Sequence, residues 1–140
     1  MSNYITGLDL ILIILYIALI LAIGYSFSKK LPYKTIRDYF MKGLALKLLC
    51  GLGFGWIYVY YYGGGDTQMY FNGASGIYKA IFSDNAGLNS FFDTNVFSGG
   101  SASTVLTKQI TGFINIFAFN SYWSCTLLFA ALSFIGQWLL

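Results

Sequence analysis

Asp66 is the residue of this chain whose type and position are best suited to chemistry. It directly follows Gly63-Gly64-Gly65, at the point where a long apolar segment ends. A carboxylate there can accept a proton, orient a nucleophile or bind a cation, and the glycines let a bulky ligand approach the backbone closely. Because the sequence contains neither His nor Glu, an attacking hydroxyl would have to give its proton to an aspartate. The alternative role of Asp66 or Thr67 is to cap a helix over 67–82, and the two roles are compatible.

Three further side chains are candidates for binding an anionic substrate. Tyr70 lies one helical turn after that aspartate and could face the same cavity, the alternative role being an anchor at the membrane interface. Lys79 and Lys108 are the only basic residues of the long polar region, and a phosphate needs such cationic partners. Asp84 and Asp93 lie in sequence rich in Ser, Asn and Gly, so we interpret them as solvated loop charges.

The sequence predicts neither a metal site nor a nucleic-acid partner. Cys50 and Cys125 are far apart in apolar segments, which indicates neither a disulfide framework nor a zinc cluster. No other cluster of metal ligands is visible, so the cofactor, with a divalent metal among the possibilities, is left open. A nucleic-acid-binding surface would need a basic stripe, whereas most basic residues of this chain lie in one short segment.

The composition indicates an integral membrane protein. Charged residues make up 9% of the 140 residues, whereas a soluble domain has about 25%. Hydrophobic residues make up 57%, and the mean hydropathy is +0.65. So few charges cannot cover the surface of a soluble domain, and a hydrocarbon environment is therefore expected.

Five helices are predicted, which gives an all-α membrane fold. Three apolar segments are long enough to span a membrane, and they lie at about 8–28, 43–62 and 119–140. Two further segments, about 67–82 and 103–117, place apolar residues at helical spacing, which predicts helices lying in the membrane interface. The stretch 83–102 between them is predicted to be a loop.

The basic residues indicate the topology. Six of the eight lie in the segment 29–47, and loops rich in Lys and Arg stay on the cytoplasmic side. A cytoplasmic loop over 29–47 puts the N-terminus and the region 63–118 outside an inner or plasma membrane. Binding of anionic lipids is the alternative role of these basic residues. Because no basic residue precedes the first apolar segment, we interpret that segment as a span rather than as a signal peptide.

Gly51 and Gly55 form a small-residue pair within the second predicted span. This spacing lets another transmembrane helix approach closely, although glycine is also frequent in such helices for other reasons. The predicted partners are therefore membrane lipids and other transmembrane helices that contact this pair.

The stretch 61–71, which reads YYGGGDTQMYF, follows an early span and resembles the first outer loop of the multi-span C-type (GT-C) glycosyltransferases. Members of that family have an acidic residue at the start of this loop, often with a Tyr a few residues on, and interfacial helices and further spans follow. The segment 127–138 likewise resembles an early span of these proteins. Thr67 stands where many members have a second acidic residue.

The resemblance implies a transferase that passes a sugar from a polyprenyl-phosphate-linked donor to an acceptor on the outer side of the membrane. Asp66 corresponds to the loop carboxylate, which in the family acts as general base or organises the acceptor and sometimes a metal. Because no basic residue follows the last span, we expect 1–140 to be a single transmembrane region at the N-terminal end of a longer polytopic domain. The alternative function is a small non-enzymatic subunit or assembly protein, docking through Gly51 and Gly55 and through its aromatic-rich outer loop.

Overall fold

The computed structural model describes residues 5–82 and 102–139, which fold as five α-helices. The helices are α1 (Gly7–Ser28), α2 (Lys34–Tyr60), α3 (Asp66–Phe82), α4 (Ala102–Phe117) and α5 (Tyr122–Leu139). No strand occurs in the described ranges, which confirms the predicted all-helical class. Three helices, α1, α2 and α5, are long and apolar enough to span a membrane. Positions 83–101 of the predicted loop 83–102, which include Asp84 and Asp93, lie outside the described residues.

α1 confirms the first predicted helix, since it begins within one residue of the expected 8–28. A capping box starts it: the Thr6 side chain accepts a hydrogen bond from the Asp9 N–H, and the Asp9 carboxylate accepts one from the Thr6 N–H (2.8 Å). Apolar side chains point outward along the helix, and Ile14 is 70% exposed. Such exposure fits a helix whose surroundings are hydrocarbon rather than water.

α2 begins at Lys34, well before the expected start of the second span in 43–62. The predicted loop over 29–47 is therefore wrong in its extent, because only the residues 29–33 connect α1 to α2. The rest of the predicted loop, 34–47, belongs to the first half of α2. This part contains five charged residues, namely Lys34, Arg37, Asp38, Lys42 and Lys47.

Helix propensity and packing explain the early start of α2. Pro32 prevents a helix from running through the connection, whereas the residues after it are mostly Lys, Arg, Leu, Ala and Met, which favour helix. Phe40, Leu44 and Leu48 recur every fourth residue on one face of α2, and all three are buried. Burial of this apolar face stabilises the turns that carry the basic residues.

The remaining helices follow the prediction with one difference. α3 and α4 each begin one residue before the predicted 67–82 and 103–117. α5 begins at Tyr122, three residues after the start of the predicted 119–140. Phe119 and Asn120 have positive φ angles of 52° and 56°, so the backbone leaves the helical conformation between α4 and α5.

α1, α2 and α5 form a three-helix bundle with an apolar core. α2 and α5 approach closely at Gly51, where a Cβ atom would lie 2.9 Å from the Cβ of Ala130. We call the end of the bundle that holds the end of α1 and the start of α2 the Lys29 end. The opposite end, with the end of α2 and the start of α5, is the Tyr122 end. The core residues are Tyr16, Ile20, Phe40, Leu44, Leu48, Leu127, Ala130 and Phe134.

α3 packs chiefly against α4, and the pair joins the bundle through α5 and the end of α2. α4 buries the polar side chains of Thr111 and Asn115. Its outward face is apolar, and Phe113 and Phe117 are 59% and 57% exposed. An inward polar face with an outward apolar face favours apolar surroundings for α4, in keeping with the prediction that this helix contacts the membrane.

Candidate functional site

A glycine turn positions Asp66 at the Tyr122 end of the bundle. α2 ends at Tyr60, and the chain reverses through Gly63 and Gly64, whose positive φ angles of 64° and 147° suit glycine. The N–H of Gly64 donates a hydrogen bond to the carbonyl of Tyr58 (3.2 Å), which closes the turn. α3 then starts at Asp66 itself.

Asp66 consequently lies in the first turn of α3 and not at the cap position that the sequence suggested for it or for Thr67. A negative charge there interacts favourably with the helix dipole. The side chain of Asp66 is exposed, and no hydrogen bond joins its carboxylate to any residue in the described ranges. The carboxylate is therefore free to contact a ligand.

The other two described aspartates are placed differently. The Asp9 carboxylate accepts hydrogen bonds from the Thr6 hydroxyl (2.7 Å) and the Ser121 hydroxyl (2.6 Å), besides the Thr6 N–H. These bonds tie the start of α1 to the turn between α4 and α5, so Asp9 has a structural role. Asp38 is exposed near the start of α2, at the Lys29 end. Asp66 is thus the described aspartate that combines a free carboxylate with a position at the Tyr122 end.

A cleft of about 560 Å³ lies between α2 and α5 on one side and α3 and α4 on the other. Apolar side chains such as Phe54, Phe71 and Phe129 form most of its walls. Seven of its lining residues carry hydroxyl groups, namely Thr67, Tyr70, Thr107, Thr111, Tyr122, Thr126 and Ser133. The cleft can therefore hold an amphipathic molecule, with hydrocarbon against the aromatic walls and polar groups against the hydroxyls.

The cleft reaches the first turn of α3. Thr67 and Tyr70 line it, and the Tyr122 hydroxyl donates a hydrogen bond to the Thr67 hydroxyl (3.3 Å). Asp66 precedes Thr67 directly and shares a helix face with Tyr70, four residues on. Its carboxylate does not line the cleft and lies beside it, at the Tyr122 end.

The two predicted cationic residues are not part of the cleft. Lys79 is exposed on α3 and lies 13 positions after Asp66, which is about 20 Å along the helix. The aliphatic stem of Lys108 packs over Gly73, where a Cβ atom would lie 3.0 Å from the lysine Cδ. Tyr70 thus lines the cleft and Asp66 lies one helical turn before it, whereas neither Lys79 nor Lys108 lines the cleft. Whether these four residues bind substrate stays a prediction.

Lys47 is a cleft residue that the sequence did not single out for binding. It lines the end of the cleft nearer the Lys29 end, and its Nζ donates a hydrogen bond to the Gln137 side-chain oxygen (3.3 Å). A signal was available, because Lys47 is a basic residue inside a candidate span, and ionisable residues in such positions are often functional. That it points into a cleft could not be predicted, since α3 and α4 complete the cleft.

Metal ligands do not cluster in the described part of the chain, where no group of three His, Cys, Asp or Glu side chains could hold an ion. Cys50 is exposed and Cys125 is buried, and both are free thiols. Comparison of this chain with protein families, with curated proteins and with solved structures finds no match.

Proposed function

We propose that this chain is a membrane-embedded glycosyltransferase of the GT-C kind, or the first part of one, that uses a lipid-linked sugar donor. The observation that carries the proposal is the position of a free carboxylate, Asp66, beside an apolar cleft lined with hydroxyl groups. A polyprenyl-phosphate sugar has the matching chemistry, namely a long hydrocarbon, an anionic link and a polar sugar.

Each part of the cleft is proposed to bind one part of the donor. The hydrocarbon lies against the aromatic walls formed by Phe54 and Phe129. The sugar lies at the Tyr122 end, within reach of the hydroxyls of Thr67 and Tyr70. Lys79 and Lys108 are proposed to attract the phosphate to this side of the membrane as charges on the α3–α4 pair.

Asp66 is the proposed general base. An acceptor hydroxyl oxygen attacks the anomeric carbon of the sugar, and the hydroxyl proton passes to the Asp66 carboxylate. The bond between the anomeric carbon and the phosphate oxygen breaks, and the polyprenyl phosphate leaves with the bonding electron pair. The glycine turn before α3, with positive φ angles at Gly63 and Gly64, leads directly into Asp66, which precedes the cleft residue Thr67.

The non-enzymatic alternative depends partly on docking through Gly51 and Gly55, and the surroundings of these two glycines do not favour that role. A Cβ atom on Gly51 would meet Ala130, and one on Gly55 would lie 3.5 Å from Trp123. Both glycines therefore face α5 of the same chain. A second chain would have to dock elsewhere.

Occupation of the cleft by the donor lipid is tested by filling it. Thr107 lines the cleft, whereas its neighbour Leu106 is 57% exposed on the outward face of α4. We expect Thr107→Trp to weaken the binding of a polyprenyl phosphate by at least about tenfold, because the indole occupies space that the lipid needs. The measurement is native mass spectrometry of the purified protein titrated with the polyprenyl phosphate in detergent.

Leu106→Trp is the matched control, since it adds the same indole to the same helix outside the cleft. We expect it to bind the lipid as the wild-type protein does. Equal binding by the wild-type protein and by both variants, with all three folded, would show that the lipid does not occupy the cleft.

A further inference from the structure

A second cavity, separate from the cleft, lies at the Lys29 end of the bundle. It measures about 290 Å³ and is formed by α1, α2 and α5. The side chains that line it are apolar, and the aromatic rings of Phe27, Phe40 and Trp138 form part of its wall. The centroid of the Phe40 ring lies 4.9 Å from that of Trp138 and 5.7 Å from that of Phe27. We call this cavity the aromatic groove.

The aromatic groove opens toward the surroundings of the bundle. Leu132 and Ile135 line it and are 54% and 50% exposed. Both belong to α5, which is a candidate span. An occupant therefore reaches the groove sideways from the hydrocarbon region of the membrane, where acyl chains are the abundant apolar molecules.

Positive charge surrounds the end of the groove. Lys29 and Lys30 follow Phe27 by two and three residues, and Lys34 begins α2. The Lys29 Nζ lies 4.6 Å from the centroid of the Tyr25 ring. Within the described ranges, no carboxylate forms an ion pair with any of these three lysines. An apolar groove that ends at unneutralised lysines has the charge and polarity of a binding site for an anionic amphiphile.

Arg37 fixes the geometry of the connection that carries these lysines. Its Nε donates a hydrogen bond to the carbonyl of Leu31 (2.8 Å), and Leu31 packs against the bundle core. The connection between α1 and α2 is thereby held against the bundle next to the groove. The lysines therefore lie at the same end of the bundle as the groove, as contact with one headgroup requires.

We infer that the aromatic groove binds an anionic phospholipid, with one acyl chain in the groove and the phosphate on Lys29 and Lys30. The uncompensated charge selects an anionic over a zwitterionic headgroup, and the groove adds apolar contacts that charge alone would not give. This site lies at the opposite end of the bundle from Asp66. The outcome of a test of this lipid site is therefore independent of the proposed sugar transfer.

Trp138 allows a direct test, because a brominated acyl chain quenches the fluorescence of an indole that it contacts. The full chain is placed in phosphatidylcholine nanodiscs that contain a minor fraction of acyl-brominated phosphatidylglycerol or of equally brominated phosphatidylcholine. We expect stronger quenching by the brominated phosphatidylglycerol. Trp138→Phe should abolish the difference between the two lipids, since Trp56 and Trp123 lie outside the aromatic groove.

The charge contribution is tested with two matched double variants. Lys29→Gln with Lys30→Gln should bring quenching by the two brominated lipids to the same value, because the headgroup loses its partners. Lys29→Arg with Lys30→Arg is the matched control, because it keeps both positive charges and should keep the difference between the two lipids.

Four outcomes would overturn the inference. The first is equal quenching by the two lipids in the wild-type protein, and the second is no quenching of Trp138 by either lipid, as expected if a helix covers the groove. The third is an unchanged difference between the lipids in the protein with Lys29→Gln and Lys30→Gln. The fourth is removal of the difference by soluble glycerol 3-phosphate at the same concentration. The last result would mean that the lysines bind a phosphate without an acyl chain. Failure of soluble glycerol 3-phosphate to compete would support a lipid site.

Discussion

Hydrogen bonding separates the described aspartates by role. Asp9 accepts hydrogen bonds from Thr6 and Ser121, which stabilise its charge and leave it little capacity for a ligand. Asp66 has no such partner within the described ranges and stands beside the cleft. The position of Asp66 next to a turn could be predicted from the glycines before it. The hydrogen bonding of Asp9 could not, because one of its partners, Ser121, is far away in the sequence.

Lys47 shows where residue-level prediction from the sequence ends. Lys47 lies next to the start of the apolar segment of α2, where a lysine side chain can reach toward the Lys29 end. The hydrogen bond to Gln137 points in that direction, yet the same residue also lines the cleft. Tyr70 differs from Lys47, because its helical spacing from Asp66 left two roles open, which were to face the same cavity or to anchor the helix at the membrane interface. Tyr70 lines the cleft, whereas Asp66 does not.

The close approach at Gly51 gives a stability prediction. A Cβ atom there would lie 2.9 Å from the Cβ of Ala130, and neither atom belongs to a flexible side chain. Gly51→Ala should therefore force α2 away from α5 and lower the free energy of unfolding by about 1–3 kcal/mol. Thermal unfolding of the purified protein in detergent measures the change.

Gly53→Ala is the control for this prediction. It lies on the same helix, and nothing lies within 4 Å of the Cβ that it would add. Because alanine favours helix over glycine, Gly53→Ala should leave stability unchanged or raise it by about 0.5–1 kcal/mol. A Gly51→Ala protein as stable as the Gly53→Ala protein would disprove the tight contact between α2 and α5.

At the scale of the elements, the apolar pattern was sufficient to predict helices but not all of their ends. The predicted 67–82 and 103–117 agree with α3 and α4 to one residue. α2 starts earlier than predicted because Lys and Arg favour helix when an apolar face can be buried beneath them. The late start of α5 depends on the left-handed backbone at Phe119 and Asn120, for which neither residue type gives a strong signal.

The packing of elements was beyond prediction from the sequence. The pair Gly51 and Gly55 predicts that some helix approaches α2, but not that the helix is α5. The amphipathic pattern of α4 predicts an apolar face, but not that Thr111 and Asn115 would be buried on the other side. The cleft lies between the α3–α4 pair and the bundle, and its residues come from four helices.

At the scale of the whole molecule, the charges differ between the two ends. The Lys29 end carries Lys29, Lys30, Lys34 and Arg37 against Asp38, whereas Asp9 and Asp66 lie at the Tyr122 end. If the three apolar helices span a membrane, this difference places the Lys29 end in the cytoplasm and Asp66 outside. The proposed acceptor and the proposed general base are then on the same side.

Cysteine labelling tests this topology. Tyr61 is 80% exposed near the Tyr122 end, and Tyr33 is 67% exposed at the Lys29 end. In a background with Cys50→Ala and Cys125→Ala, a membrane-impermeant maleimide should label Tyr61→Cys on intact cells. It should label Tyr33→Cys only after the membrane is permeabilised, and the opposite pattern would reverse the topology.

Sugar transfer by the Asp66→Asn protein tests the proposed role of Asp66 as general base. Membranes containing the protein are supplied with a radiolabelled polyprenyl-phosphate sugar, and label in the acceptor is counted. Asparagine cannot accept the proton of the acceptor hydroxyl. We therefore expect the Asp66→Asn protein to insert normally but to transfer no more sugar than membranes that lack the protein. Asp38→Asn, an exposed aspartate at the Lys29 end, should transfer sugar as the wild-type protein does. Undiminished transfer by the Asp66→Asn protein would show that Asp66 is not the general base.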